Sequence, residues 1–130
     1  MAQKDQDDFD SELTRLDKEW SAIYGPLRAS INLSARTASQ TAGKIAALSR
    51  VIVEHERQRS DLTFSRPKTG DAELRLQIVQ DALQILRQEA VELEKARDEA
   101  LGHMKEARAE MLQAATSMKE RLDRLKEKFR

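Results

Sequence analysis

Apolar and small residues in the second half of the chain recur at alternating steps of three and four. This alternation is typical of the a and d positions of a coiled coil, where a helix presents a narrow apolar stripe to its neighbour. The series is Leu76, Val79, Leu83, Leu86, Ala90, Leu93, Arg97, Leu101, Met104, Arg108, Met111, Ala115, Met118, Leu122, Leu125 and Phe129. Two successive steps of four within 93–101 predict a stutter. We predict one long helix over 71–130, with Asp71 as its N-cap.

The first half of the chain shows the same pattern with smaller residues. The series is Phe9, Leu13, Leu16, Trp20, Ile23, Leu27, Ile31, Ala35, Ala38, Ala42, Ile45, Ser49 and Ile52. It predicts a first helical arm over 9–62, preceded by an acidic tail over 1–8. Because proline removes a backbone hydrogen bond inside a helix, Gly25-Pro26 predicts a break or kink in this arm.

A turn over 63–70 separates the two predicted helices and contains Pro67 and Gly70. A short connection between long helices makes them antiparallel neighbours. Folding about residue 67 places Phe9 opposite Leu125 and Trp20 close to Ala115. The predicted fold is therefore all-α, a long antiparallel two-helix coiled-coil hairpin that packs into a larger helical bundle on association.

The charges at the two ends of the chain favour the same topology. Residues 1–12 contain one lysine and five carboxylates, whereas residues 119–130 contain six basic and three acidic side chains. The hairpin brings these two segments together with opposite net charge. Single surface ion pairs contribute only about 0–1 kcal/mol, so the charges act mainly by selecting the register.

Composition narrows the range of functions. The chain has 23 basic and 23 acidic residues and no cysteine, so it lacks the basic excess of a nucleic-acid-binding domain and any thiolate chemistry. Its acidic beginning has no apolar run typical of a signal peptide, and no window approaches the ~18 apolar residues of a membrane span. We expect a soluble cytoplasmic or nuclear protein, with nucleic acid not among its partners.

The sequence offers few groups for chemistry. His55 and His103 are the two histidines, and in the predicted register roughly 36 Å of helix separates them. They are interpreted as surface residues, not as metal ligands. No phosphate-binding glycine loop or nucleophile elbow is present. We therefore expect no catalytic residue, no cofactor, no metal, no small-molecule substrate and no enzymatic activity.

The part of the hairpin next to the turn has more apolar residues than two helices can cover, and such excess usually marks an interface. The predicted partner or oligomer interface comprises Leu48, Val51, Leu62, Phe64, Leu74, Ile78 and Ile85. Other helical protein chains are the expected partners, in a hetero-complex or a homo-oligomer. The leading hypothesis is a structural or adaptor subunit of a larger assembly. The alternatives are a self-associating scaffold or spacer and an export- or membrane-associated helical chaperone.

Overall fold

The computed structural model describes residues 2–64 and 69–130 and contains two helices, α1 (Gln3–Phe64) and α2 (Gly70–Lys128). The helices pack against each other as a helical hairpin, and no strand occurs in the described parts of the chain. The predicted all-α antiparallel hairpin is confirmed. Of the predicted turn over 63–70, Thr63 and Phe64 belong to α1 and Gly70 belongs to α2. Its residues 65–68 lie outside the described residues.

The helix α1 begins earlier than the predicted arm, at Gln3 instead of residue 9. The acidic residues of the predicted tail support this extension. Side-chain hydrogen bonds one turn apart join Gln3 to Asp7 at 3.0 Å and Gln6 to Asp10 at 3.1 Å. Carboxylates near a helix N-terminus also interact favourably with the helix dipole. The acidic segment is therefore the first turns of α1.

Pro26 lies inside α1, and the helix continues through it without interruption. The predicted break is therefore wrong, while a kink stays a prediction. Proline leaves the carbonyl of the residue four positions earlier, Ala22, without its helical donor. Both residues are exposed, so water can reach that carbonyl. The continuous core stripe on either side of Pro26 keeps the helix in one piece.

The helix α2 is capped by Thr69, and the prediction of Asp71 as the N-cap is wrong. The backbone N–H of Ala72 donates to the Thr69 hydroxyl at 3.1 Å, and the N–H of Glu73 donates to the Thr69 carbonyl at 3.1 Å. This is the geometry of a threonine N-cap. Asp71 lies in the first turn, where its charge favours the helix dipole.

The chain divides into two packing units. The terminal unit comprises Met1–Ala35 with Leu101–Arg130, and the turn unit comprises Arg36–Ala100. In the turn unit the largest fully buried side chain is Leu83, which is 1% exposed. Buried Ala38 and Thr41 supply small side chains from α1. The core of this unit is therefore thin, with one large apolar residue at its centre.

The buried positions of α2 keep the alternation of three and four through residues 93–107, so the predicted stutter is wrong. Ala100 and Ala107 are buried, whereas Leu101 and Arg108 are exposed. Each alanine stands directly before the larger residue that the prediction placed in the core. Alanine fits between closely packed helices. The prediction placed the larger residue of each pair in the core, and in the structure that residue is exposed.

The same displacement by one residue occurs on α1. The structure turns Ser34, Thr41 and Leu48 inward, whereas the prediction had the residue after each of them in the core. Both members of every pair are small or of mixed polarity, so the apolar pattern alone did not distinguish them. Thr41 is 8% exposed, and Leu48 is half-buried.

The terminal unit fixes the register of the two helix ends. The rings of Phe9 and Phe129 pack edge to face with centroids 5.7 Å apart. Phe129 lies four residues beyond Leu125, the predicted partner of Phe9, so the register differs from that prediction by about one helical turn. Trp20 is half-buried and lines one groove with Ala115, as predicted.

Ion pairs join the acidic and basic ends within the terminal unit. Glu19 accepts a hydrogen bond from Arg121, and Glu12 accepts one from Lys128 at 3.3 Å. The guanidinium of Arg121 lowers the pKa of Glu19 below its ordinary value, chiefly through this hydrogen bond. The predicted pairing of the acidic start with the basic end is confirmed within this unit.

Candidate protein-interaction surface

The interhelical core divides the surface of the turn unit into two long sides. The heptad position of a residue shows on which of these sides it lies. The core positions are Ala38, Thr41, Ile45, Leu48, Ile52, His55, Arg59 and Leu62 on α1, and Leu76, Val79, Leu83, Leu86, Ala90, Leu93, Arg97 and Ala100 on α2. With these residues alternating as a and d, one side of the unit consists of e and b positions. The other side consists of g and c positions.

The e and b side is polar and is bridged by an ion pair. Arg87 of α2 donates to Glu56 of α1 at 2.9 Å, and both residues occupy e positions. In antiparallel coiled coils e positions of the two helices lie next to each other, which agrees with this contact. The neighbouring outward positions of α2 include Gln77, Gln80 and Gln84. This side is mainly polar, with exposed Val53 and Val91 as separate apolar residues at b positions.

The g and c side contains a shallow groove between the two helices. The groove is lined by Gln58, Asp61 and Leu62 from α1 and by Arg75, Ile78 and Val79 from α2. These residues occupy g, c and d positions, so the groove is on the side away from the Glu56–Arg87 ion pair. Its floor is apolar, and its rim is polar.

Three large aliphatic residues of α2 are exposed on or beside this side. Leu74 is 61%, Ile78 is 58% and Ile85 is 62% exposed. Their spacings of four and seven residues keep them within about 40° of one another around the helix. Exposed Asp81 lies in the same row, between Ile78 and Ile85. Single exposed apolar residues are ordinary, but three grouped on one side of a helix are typical of an interaction surface.

The predicted interface residues are distributed unevenly. Val51 occupies a g position of α1, so it lies on the same side of the unit as Ile78 and Ile85. Leu74, at an f position, lies at the edge of this side. We call the surface formed by these residues the apolar face: Val51, Leu74, Ile78 and Ile85.

The other three predicted interface residues lie elsewhere. Leu48 and Leu62 occupy d positions and are half-buried in the interhelical core. Phe64 is exposed at an f position of α1, away from the groove. The heptad letter of each residue follows from the core positions. Because the predicted core positions of α1 were displaced, Leu48, Leu62 and Phe64 were grouped with the residues of the apolar face.

Two small residues of the apolar face were missed by the sequence reasoning. Ala47 and Ala82 occupy c and g positions between the large aliphatic residues and leave the face low enough for close approach. Val53 is also exposed, but its b position puts it on the polar side. Heptad letters assigned from the corrected core would have identified these positions.

Four exposed charges mark the ends of the apolar face. Asp61 and Arg75 lie next to the turn, and Lys44 and Glu89 lie at the far end. Within the described residues none of these four side chains forms an ion pair. On α1 the charge is positive at Lys44 and negative at Asp61, next to the turn. On α2 the order is reversed, because Arg75 next to the turn is positive and Glu89 is negative.

Glu54, at a c position of α1, is neutralised locally. Arg57 donates to its two carboxylate oxygens at 2.6 and 3.2 Å. This bidentate hydrogen bonding lowers the pKa of Glu54 and raises the pKa of Arg57. The pair stays ionised at neutral pH, so it adds little net charge to the face.

The two histidines differ from the predicted surface pair. His55 is half-buried at a d position, and its Nδ1 lies 2.8 Å from the Val51 carbonyl oxygen, to which a protonated Nδ1 donates. His103 is exposed. In residues 2–64 and 69–130 no three His, Cys, Asp or Glu side chains are grouped as metal ligands.

Comparisons of the chain with protein-family models, with curated proteins and with solved structures found no match. Over its described length, neither helix contains a stretch long and apolar enough to cross a membrane.

Proposed function

We propose that this chain is a non-enzymatic coiled-coil protein that acts through protein–protein contact, as a structural or adaptor subunit of a larger helical assembly. The observation that supports this proposal is the row of exposed Leu74, Ile78 and Ile85 beside the groove of the turn unit. Its expected location in the cytoplasm or nucleus stays a prediction.

The apolar face has the features of a helix-docking surface. The exposed residues of α2 recur at helical spacing, Asp81 and the small Ala82 lie between Ile78 and Ile85, and polar groups surround them. Burying one fully exposed aliphatic side chain contributes about 1.5–3 kcal/mol. Leu74, Ile78 and Ile85 are 58–62% exposed, so each contributes part of this amount, and together they offset part of the entropic cost of association. A partner helix lying along the groove would bury all three.

The thin core of the turn unit provides a second reason for association. A two-helix hairpin covers each helix on one side only, and four-helix bundles complete the burial by adding a second pair. In the turn unit the fully buried large side chain is Leu83, while aliphatic residues of similar size remain exposed. A second helical layer on the apolar face would convert this hairpin into a bundle.

Photo-crosslinking tests this function. A photoreactive phenylalanine analogue at Ile78, in the full chain in its native cells, should form protein adducts after irradiation. The matched control is the same analogue at Gln80, exposed on the polar side of the same helix. Adducts at residue 78 that Ile85→Glu abolishes would support the proposal. Equal yields at residues 78 and 80, or none at either, would contradict it.

A further inference from the structure

We propose that the partner on the apolar face is a second copy of this chain, bound with the two α2 helices antiparallel and a two-fold axis at Ala82. This inference rests on the proposed function, because it identifies the occupant of the same surface. It specifies the residues that meet and can fail while the general function stands.

The first argument is the charge pattern. Arg75 and Glu89 both occupy g positions of α2, seven residues on either side of Ala82. A two-fold axis at Ala82 places Arg75 of one copy opposite Glu89 of the other, twice in the dimer. Opposite charges at such positions select partner and orientation in coiled coils. A surface whose ends complement each other in this way fits its own copy.

The second argument is steric. Between Arg75 and Glu89 the charged residues are Asp81 and Arg87. Asp81 occupies an f position at the edge of the face, as Leu74 does, and accepts a hydrogen bond from Gln77 at 2.9 Å. Arg87 is paired with Glu56 on the polar side. The g and c positions in this stretch are Ile78, Ala82 and Ile85, all apolar. Two copies would bring Ile78 against Ile85 of the other copy, twice, around the small Ala82.

A disulfide across the axis tests this geometry directly. The chain has no cysteine, so a single Ala82→Cys places one thiol per copy beside the axis. We expect purified A82C to form a covalent dimer on mild oxidation with the helical content unchanged. The control, Gln80→Cys on the polar side of α2, should stay monomeric on a denaturing gel. Equal crosslinking of both variants, or none of A82C, would overturn the arrangement.

Charge reversal, read out by sedimentation equilibrium of the purified full chain, provides the second test. Arg75→Glu and Glu89→Arg should each weaken dimerisation by about tenfold, because each creates two like-charge contacts. The double variant should recover the wild-type dissociation constant. Additive losses in the double variant would refute the Arg75–Glu89 contact. A monomeric wild-type chain that still forms adducts through residue 78 in cells would refute self-association and leave the proposed function standing.

Discussion

In the terminal unit ion pairs and aromatic rings join the two helices, whereas in the turn unit a row of aliphatic residues is exposed. In the terminal unit Arg121 and Lys128 of α2 reach carboxylates of α1, and the rings of Phe9 and Phe129 pack together. Among the described residues of the turn unit, the Glu56–Arg87 ion pair bridges the helices on the polar side, and a shallow groove lies on the opposite side. The two units share one pattern of core positions but differ in the residues that flank the core.

Large apolar residues are also exposed in the terminal unit, but they are isolated. Leu112 is 70% exposed and is eleven residues from Leu101, the preceding exposed large apolar residue of α2. On α1 of this unit the exposed large apolar residues, Leu13, Ile23 and Leu33, are each ten residues apart. Scattered apolar residues of this kind are normal on protein surfaces. The contrast supports the proposal that the turn unit is the part of the chain that binds another helical chain.

The largest effect is expected from Leu83→Ala in the core of the turn unit. Leu83 is 1% exposed, and removing a fully buried leucine side chain costs about 2–5 kcal/mol because a cavity remains. Chemical denaturation should show this loss in the free energy of unfolding. Leu112→Ala, at an exposed position, should change the stability by less than about 0.5 kcal/mol. Equal losses in the two variants would mean that the core has been misplaced.

A smaller loss is expected from Trp20→Ala in the terminal unit. The indole is half-buried in a groove with Leu16, Ala115 and Met118, and its ring lies 5.4 Å from that of Tyr24. We expect a loss of about 2–3 kcal/mol, below the usual cost of a fully buried tryptophan. Thermal unfolding followed by circular dichroism measures it. An unchanged melting temperature would show that aromatic packing does not hold the helix ends together.

The next prediction sharpens the position of the core on α2. Ala107→Leu should destabilise the chain by about 1–3 kcal/mol, because the buried alanine has no room for a larger side chain. Arg108→Leu, one residue later and exposed, should be nearly neutral. Both variants are measured by urea denaturation. A larger loss for Arg108→Leu than for Ala107→Leu would place residue 108 in the core, as the predicted stutter requires.

The smallest effect concerns the pH dependence of the Glu19–Arg121 pair. Because the hydrogen bond from Arg121 lowers the pKa of Glu19 in the folded state, the pair stabilises the fold above the ordinary carboxyl pKa of about 4.5 and loses this effect as the pH falls below it. The melting temperature of the wild type should therefore exceed that of Glu19→Gln at neutral pH, and the difference should vanish in acid. In an Arg121→Gln background, Glu19→Gln should make no difference at either pH.

The sequence predicted the architecture because the alternation of three and four persists over many turns in both helices. Local errors arose where neighbouring residues competed for one core position, as with Ala100 and Leu101. There the larger residue fits the apolar pattern, but the smaller one fits the narrow space between helices. The N-cap was missed for a related reason, since Thr69 and Asp71 are both good capping residues.

The candidate surface was predicted only in part. Exposed Ile78 and Ile85 were found because they depart from the core stripe. Leu48 and Leu62 were assigned to the surface because an error of one residue in the α1 stripe moves every heptad letter. The charge pattern around Ala82 emerges only after those letters are correct, because it depends on which side of the helix each residue occupies.

The most direct test of the account is the mass in solution of two matched variants, Ile78→Glu and Leu112→Glu, measured by sedimentation velocity. Each places a carboxylate at an exposed apolar position of α2, one in the turn unit and one in the terminal unit. A charge buried in an apolar interface is costly to desolvate. The account predicts that Ile78→Glu is a fully helical monomer, while Leu112→Glu keeps the mass of the wild-type dimer. Dissociation by Leu112→Glu, with Ile78→Glu still dimeric, would contradict it.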